Sequence, residues 1–400
     1  MARPLAYLTD VEGRWDKLAR FAAVNPYVEL DAVGRLQVSP EAVFVFGGDA
    51  IDRGPDAMRI VDALVGAAER QPERVVLLAG NRDINKLRLP RELSGAPPAK
   101  APADLPRPAL LRWIFTNTMG AKDAFDMRAA ELGRGRTAAV DGDEIVASFL
   151  ADVTPDGPLT QYLARAVLAF REGSTLVVHG AVTEESLGVV PGEPREDDVD
   201  AWIAALNRWY AQQVDAFRAA PRSDASWAAL RAYHAPLPGT RANVGSVVYG
   251  RHLDAAEHAT LPPRATRERL TRAGISRLLV GHTPVGDAPA ILRAADFELI
   301  MADNSYGRLE RGASIVVRDE RVTVDAYAKL DDGAEERVSC DVRRGDPGPI
   351  GKRDPVTGHL VKGRMEGGRW HLHRPLGDLR VEQVAVTDEA LEGRDLVAPE

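Results

Sequence analysis

Short apolar runs that end abruptly in polar residues recur along this 400-residue chain and constrain its fold more than any other feature. The runs that show the pattern most clearly are LAYLTD (5–10), AVFVFGGD (42–49), RVVLLAGN (74–81), STLVVHG (174–180) and RLLVGHT (277–283). Each has the length of a buried strand, and the apolar residues of segment 56–70 have helical spacing. Strands that alternate with helices predict an α/β sheet, in which the ligand site gathers at the carboxyl ends of the strands.

The charge and the cysteine content argue against several classes of protein. A formal net charge of −8 does not suit a general nucleic-acid binder, which needs a basic surface to displace counterions from phosphates. Cys340 is the only cysteine, so we expect neither a disulfide framework nor a thiolate metal cluster. The first ten residues reach charged side chains before a signal-peptide core develops, and no apolar run approaches the ~18 residues of a membrane span. We therefore expect a cytoplasmic protein with no membrane attachment.

The chain is predicted to form one large domain and a smaller extension. Residues 1–330 contain the repeated strand pattern, interrupted by mainly helical insertions at about 91–173 and 190–275. From about residue 313 the pattern changes to alternation of apolar and polar residues, which predicts hairpins and makes 331–400 a β-rich C-terminal extension. We expect both insertions to lean over the strand ends and to shape a pocket there.

Side chains that can bind metal ions follow each of the predicted strands. They are Asp10, Glu12, Asp49, Asp52, Asn81, Asp83, His179 and His282. One strand that ends in Asp or Asn is unremarkable, because these residues favour turns, but an ordered set of five such ends is not. Carboxylates, an amide oxygen and two imidazoles suit a pair of divalent cations that activate water for phosphoryl transfer.

The motifs around these residues resemble the signature of the calcineurin-like metallophosphoesterases. They are DVEG (10–13), GGDAIDRG (47–54), GNRD (80–83), VVHG (177–180) and VGHTP (280–284), in that order. The GD-x-x-DRG form is similar to the branch that holds phosphoprotein phosphatases and diadenosine-tetraphosphate hydrolases. The resemblance covers residues 10 to about 305 and implies an α/β fold with a four-layer sandwich core. The two insertions and the C-terminal extension lie outside it.

The resemblance also implies a dinuclear site in which Asp49 bridges both metal ions. The other ligands that it implies are Asp10 and Glu12 for the first ion and Asn81, His179 and His282 for the second. Arg53 would grip phosphate oxygens as a bidentate fork, which suits a guanidinium better than an ammonium group. A hydroxide activated by the metal ions would attack phosphorus.

Two positions depart from the family pattern. Glu12 replaces the usual His of the first motif, which makes the first site all carboxylate and favours Mn²⁺ or Mg²⁺ over Zn²⁺ or Fe. Arg82 replaces a His that protonates the leaving group, and a guanidinium stays charged at any accessible pH. Arg82 could instead stabilise charge on the leaving oxygen or bind a second phosphate, with Asp83 holding the guanidinium. A purely structural ion pair between Arg82 and Asp83 is the alternative.

Other polar residues near the motifs have weaker patterns. Asp52 is expected to orient Arg53 or a ligand rather than to bind metal. Asp303 and Asn304 follow the last motif, where a loop lining the site and an ordinary turn are equally compatible with the sequence. The remaining histidines have no evident partner in the sequence and are expected to be surface or core residues: His234, His252, His258, His371 and His373.

The predicted function is hydrolysis of a phosphomonoester by a metal-activated hydroxide at a dinuclear site. The favoured substrate is a small phosphorylated molecule, because large insertions over the site exclude bulky phosphoproteins. The alternatives are a hydrolase of a phosphoanhydride or phosphodiester, such as a dinucleoside polyphosphate or cyclic nucleotide, and a catalytically weakened phosphate-binding module. The motif residues are expected to activate water and bind phosphate, whereas the insertions are expected to bind the leaving group.

Overall fold

The computed structural model describes residues 2–223, 225–309 and 311–400, and strands occur along the whole of that chain. In chain order they are β1 (Leu5–Leu8), β2 (Val28–Leu30), β3 (Leu36–Val38), β4 (Val43–Phe46), β5 (Val75–Leu77), β6 (Ala169–Glu172), β7 (Thr175–Val178), β8 (Arg277–Val280), β9 (Ala290–Arg293), β10 (Glu298–Met301), β11 (Ser314–Arg318), β12 (Arg321–Lys329), β13 (Glu335–Arg343), β14 (Leu360–Met365), β15 (Trp370–Gly377) and β16 (Arg380–Val386). All four residues of β1, β4, β7 and β8 are buried, as is typical of strands covered on both faces.

Helices connect the early strands and fill both insertions. They are α1 (Trp15–Val24), α2 (Ala57–Arg70), α3 (Asn81–Asn85), α4 (Leu89–Glu92), α5 (Arg107–Thr118), α6 (Ala124–Leu132), α7 (Gly142–Asp152), α8 (Pro158–Arg165), α9 (Val199–Ala219), α10 (Ala228–Tyr233), α11 (Arg264–Arg272) and α12 (Asp388–Glu392). The longest, α9, begins where the Asp198 side chain accepts a hydrogen bond from the backbone N–H of Ala201. No helix in the described ranges combines the length and apolar character needed to cross a bilayer.

The strands form two large sheets and a small hairpin within the described residues. The first sheet has the order β16-β15-β14-β13-β12-β11-β1-β4-β5, and the second has the order β6-β7-β8-β10-β9. Strands β1, β4 and β5 are parallel to one another, and so are β7, β8 and β10. The remaining pairs are antiparallel. The carboxyl ends of each parallel set therefore lie on one edge of its sheet.

The two sheets pack face to face and carry helices on their outer faces. Tyr7 and Val45 of the first sheet share an apolar cluster with Val177 and Leu279 of the second. A larger cluster joins the opposite strand faces to the buried sides of α1, α2, α9 and α11. The arrangement is a four-layer sandwich of helices, sheet, sheet and helices, as the sequence predicted.

The elements agree with the predicted strand pattern and add to it. All five apolar runs form strands, whereas β6, at the end of the 91–173 insertion, and the β9–β10 pair were not predicted. The predicted boundary at 330/331 falls inside one sheet, because β12 pairs with β13 over nine residues. The β-rich C-terminal strands therefore extend the first sheet directly.

Candidate metal centre

The loops after the parallel strands hold their polar residues in an uncommon backbone conformation. Positive φ angles occur at Asp10 (51°), Glu12 (49°), Asp49 (57°), Asp52 (113°) and His282 (60°). Non-glycine residues rarely adopt this region, and such strain concentrates at functional sites. Each loop therefore turns sharply as soon as its strand ends, and its polar residue stays at the edge of the sheet.

Two glycines allow these loops to approach one another. A Cβ atom on Gly80 would collide with the backbone nitrogen and the side chain of Asp49. A Cβ atom on Gly281 would collide with the carboxylate of Asp10 and the hydroxyl of Thr9. Glycine is therefore required where the loops that carry Asp49 and Asp10 meet their neighbours.

Three of the predicted metal ligands converge most closely. Asp10, Asp49 and His179 each offer one ligand atom, and these atoms all lie within 4.8 Å of one another. The Oδ1 of Asn81 lies 3.2 Å from the Nε2 of His179, so the amide borders the same point. The ends of β1, β4, β5 and β7 thus supply oxygen and nitrogen donors to one position between the sheets.

Hydrogen bonds fix the orientation of the donors. The Nδ1 of His179 lies 2.7 Å from the carbonyl oxygen of Gly47, which can accept a hydrogen bond from an Nδ1–H group. The Nε2 lone pair is then free for a metal ion, at 3.4 Å from Asp49 Oδ1. A hydrogen bond of this kind to the distal nitrogen is how metal-ligating imidazoles are usually held. The hydroxyl of Thr9 donates to Asp10 Oδ2 at 2.5 Å, which restricts that carboxylate.

His282 offers a further nitrogen donor. Its backbone N–H donates to the carboxylate of Asp10, and its ring centre lies 5.3 Å from that of His179. The Nε2 of His282 is buried and has no hydrogen-bond partner among the described residues. Burial, reinforced by the nearby Arg251, lowers the pKa of His282 well below its ordinary value, so the ring is neutral, as a metal ligand must be.

The charge balance also suits cations. Burial raises the pKa of Asp10 well above its ordinary value, and the carboxylates of Asp303 and Asp49 raise it further. Burial likewise raises the pKa of Asp49. Divalent cations would stabilise the ionised forms of these crowded groups. The unpartnered His282 nitrogen and the buried carboxylates therefore fit a metal centre of hard oxygen and imidazole donors.

Glu12 lies beside two guanidinium groups. Its Oε1 is 2.6 Å from Arg82 Nε, and its Oε2 is 3.3 Å from Arg53 Nη1. Burial raises the pKa of Glu12 to about 7 despite the attraction of Arg82. Arg53 also donates to the carbonyl oxygen of Ser305 and stacks 4.1 Å from the ring of Tyr306. Arg82 lines the large cavity above this site, whereas Arg53 is not among the described residues that line it.

The predicted contact between Asp83 and Arg82 is wrong. The two carboxylate oxygens of Asp83 instead accept backbone N–H groups from Asp49 (2.9 Å), Ala50 (2.9 Å) and Gly80 (3.1 Å). These nearby donors satisfy a buried carboxylate more directly than a side chain that leaves the helix in another direction. Asp83 therefore ties the loop after β4 to the loop after β5.

Asp52 has two basic partners that the sequence did not indicate. The Oδ2 of Asp52 accepts a hydrogen bond from Lys86 Nζ at 2.8 Å and lies 3.5 Å from Arg82 Nη1. Lys86 is fully buried on the short 3-10 helix Lys86–Arg88, and burial lowers its pKa despite Asp52. Asp52 and Lys86 thus form a buried support beneath Arg82.

A cavity of about 780 Å³ opens above these residues. Its floor contains Asp10, Glu12, Asp49, Asn81 and His282. The first insertion contributes residues 116–120 to its wall, and the second contributes residues from 228 to 251. Both insertions therefore border the metal centre, in the place expected for them.

The cavity wall contains residues that the motifs did not predict. The ring of Tyr249 lies 4.7 Å from that of His282, and the nearby Arg251 has an Nε without a hydrogen-bond partner among the described residues. Both are held close because the Gly180 N–H, next to His179, donates to the Val247 carbonyl at 2.7 Å. The sequence signal available was the segment VVYGRH, in which a glycine separates Tyr249 from Arg251. Asp303 also lines the cavity, so the loop interpretation of that residue is the correct one.

Comparisons with known proteins give similarity in structure only. No protein-family model and no curated protein sequence matches the chain. A cold-active protein tyrosine phosphatase, known from a Shewanella species, is 16% identical, with 84% of this chain and 79% of that chain covered at a TM-score of 0.46. A protein serine/threonine phosphatase from Saccharomyces cerevisiae is 12% identical, with 80% and 73% covered at 0.41. A metallophosphoesterase from Sphaerobacter thermophilus is 12% identical, with 86% and 89% covered at 0.31.

Proposed function

We propose that this protein is a metal-dependent phosphatase that hydrolyses a phosphomonoester at a dinuclear centre. The observation that carries the proposal is the convergence of Asp10, Asp49 and His179 on one point at the floor of a cavity lined by arginines. Asn81 and His282 would complete the ligand set, with Glu12 as a carboxylate at its edge. Two divalent ions, with Mn²⁺ favoured by the oxygen-rich donors, would polarise the phosphoryl group and lower the pKa of water.

The chain's own residues would bind the phosphoryl oxygens and exclude water. Arg82 and Arg251 both line the cavity and carry guanidinium groups that suit phosphate oxygens. Arg82 is held by Glu12, Asp52 and the hydroxyl of Tyr306, which accepts from Arg82 Nη2 at 2.8 Å. A guanidinium fixed in this way loses little freedom when substrate binds.

The charge of the cavity favours a monoester over a diester. A phosphomonoester dianion carries more negative charge than a diester, and the cationic side chains of Arg82 and Arg251 line the cavity that would hold it. A phosphoanhydride is the second candidate, because Arg88 and Arg231 line the same cavity and could contact a further phosphate. A catalytically weakened phosphate-binding module is the third.

Hydrolysis of p-nitrophenyl phosphate separates these candidates. We expect turnover by the metal-free protein only after Mn²⁺ is added, and a loss of at least about 1000-fold in Asp49→Asn, because the bridging ligand is removed. Asp62→Asn, an acidic residue exposed on α2, is the control. Turnover that persists unchanged in Asp49→Asn would contradict the proposal, and a preference for bis-p-nitrophenyl phosphate would favour diester hydrolysis.

A further inference from the structure

A second cavity, of about 670 Å³, lies between the second insertion and the C-terminal strands. Its apolar lining comes from both sides: Val244, Leu253 and Ala259 from the insertion, and Leu360, Pro375 and Val381 from β14, β15 and β16. A volume of this size suits a small organic molecule, since ligand pockets in proteins span ~300–1000 Å³. The C-terminal strands, which lie outside the family motifs, thus form one wall of a binding cavity.

The second cavity adjoins the cavity above the metal centre. The residues that line both are Pro236, Tyr249, Arg251, Pro284, Tyr306 and Leu379. Tyr249 contacts the ring of His282, and Tyr306 accepts a hydrogen bond from Arg82. A molecule with its phosphoryl group at the metal centre can therefore extend past these two tyrosines into the second cavity.

Among the described residues, two of the four arginines that line the second cavity lie beside carboxylates of the same lining. Arg241 pairs with Glu257 at 3.1 Å, and Arg353 lies 3.6 Å from Asp254. A charged ligand group would have to compete with these pairs, whereas an apolar group would only displace water from the apolar lining. The cavity is therefore suited to a ligand whose body is mainly apolar.

The ring of His373 brings a buried nitrogen to the lining of the second cavity. His373 on β15 is only 7% exposed, and its Nε2 has no hydrogen-bond partner among the described residues. Burial lowers the pKa of His373 well below its ordinary value, so the ring is neutral. An unsatisfied buried nitrogen is costly in a folded protein. His373 lines the second cavity, so a ligand bound there would lie beside this ring.

We propose that the substrate is a phosphomonoester of a large, mainly apolar alcohol or phenol, whose leaving group occupies the second cavity. This inference rests on the proposed phosphatase function and adds the class of leaving group. It assigns substrate selection to the C-terminal strands and the second insertion, and the chemistry of the proposed metal centre to the strand ends of the two sheets.

The test is a series of phenyl phosphates with 4-methyl, 4-butyl and 4-hexyl substituents. A para-alkyl chain hardly alters the acidity of the phenol, so changes in kcat/KM report binding of the chain. Burial of one methylene contributes about 0.8 kcal/mol, so we expect kcat/KM to rise roughly two- to fourfold per methylene until the cavity is filled. A flat series would overturn the proposal.

Two tryptophan substitutions test whether the alkyl chain binds in the second cavity. Val381→Trp introduces a bulky ring into the second cavity and should reduce the hexyl-to-methyl ratio of kcat/KM at least about tenfold. Leu376→Trp, at an exposed position of β15 outside both cavities, should preserve the ratio. The ratio is measured within one preparation and does not depend on how much of the variant folds. An unchanged ratio in Val381→Trp would contradict binding of the alkyl chain in the second cavity.

A binding measurement keeps the inference separate from the proposed activity. We expect 4-hexylphenylphosphonate, which resists hydrolysis, to bind the Mn²⁺-loaded protein more tightly than phenylphosphonate in calorimetry, and Val381→Trp to remove the difference. Absence of turnover with every aryl phosphate would contradict the phosphatase proposal, whereas equal affinity for the two phosphonates would contradict the leaving-group cavity.

Discussion

Arg82 is the residue whose position most affects the chemistry of the centre. It occupies the second position of α3, where its backbone N–H donates to Asp49 Oδ1 at 2.9 Å and its side chain reaches Glu12 and Asp52. Burial alone would lower the pKa of Arg82, but Glu12 and its other anionic neighbours raise it well above the ordinary value. A permanently charged guanidinium can stabilise negative charge on a leaving oxygen but cannot protonate it.

Because Arg82 cannot transfer a proton to the leaving group, we expect the rate to depend strongly on the acidity of that group. General acid catalysis contributes about 100-fold or more, so p-nitrophenyl phosphate should be hydrolysed at least about 100-fold faster than benzyl phosphate. Arg82→His should narrow that ratio, because an imidazolium can donate a proton. The ratio of kcat values for the two esters is the measurement. Equal rates in the wild-type protein, with chemistry rate-limiting, would contradict this role.

At the scale of elements, the strands and their ends could be predicted, but the contacts between loops could not. Asp10 and Asn81 follow apolar runs in sequence, so their placement at one edge of the first sheet required only the parallel order of β1, β4 and β5. His179 follows a run of the second sheet, so its approach to them depends on how the two sheets pack. The partners of Asp83 are backbone N–H groups, which carry no sequence signal. Arg251 was missed because its segment has no regular secondary structure and approaches the centre only through the loop after β7.

Strand β15 carries a buried histidine that makes the stability of the folded protein depend on pH. His371 is fully buried, and neither ring nitrogen has a partner among the described residues. Burial, with a smaller effect of Lys362 on β14, lowers the pKa of His371 to about 3. Its ordinary value is about 6.5, so the unfolded chain binds this proton more readily between those two values. The free energy of unfolding therefore falls as pH is lowered through that window.

His371→Leu should weaken this pH dependence. Between pH 7 and pH 5 the histidine is expected to cost the folded protein about 2 kcal/mol, and leucine has no proton to bind. Urea unfolding of both proteins at the two pH values measures the difference, with the other titrating groups common to both. An identical loss of stability on acidification in the variant would show that His371 is not the cause.

At the scale of the whole molecule, two packed sheets bring their carboxyl edges to one centre, and the additions to the core surround it. The first sheet supplies Asp10, Asp49 and Asn81, and the second supplies His179 and His282. The insertions and the C-terminal strands supply the cavity walls. Because ligands come from both sheets, metal binding is expected to stabilise the packing of one sheet on the other.

Calorimetric titration of the metal-free protein with Mn²⁺ tests the central claim most directly. The dinuclear centre predicts two bound ions per chain in the wild-type protein and in Asp62→Asn, and weakened binding of both ions in Asp49→Asn, because Asp49 would bridge them. Absence of Mn²⁺ binding by the wild-type protein, or binding by Asp49→Asn with the same stoichiometry and affinity, would contradict it.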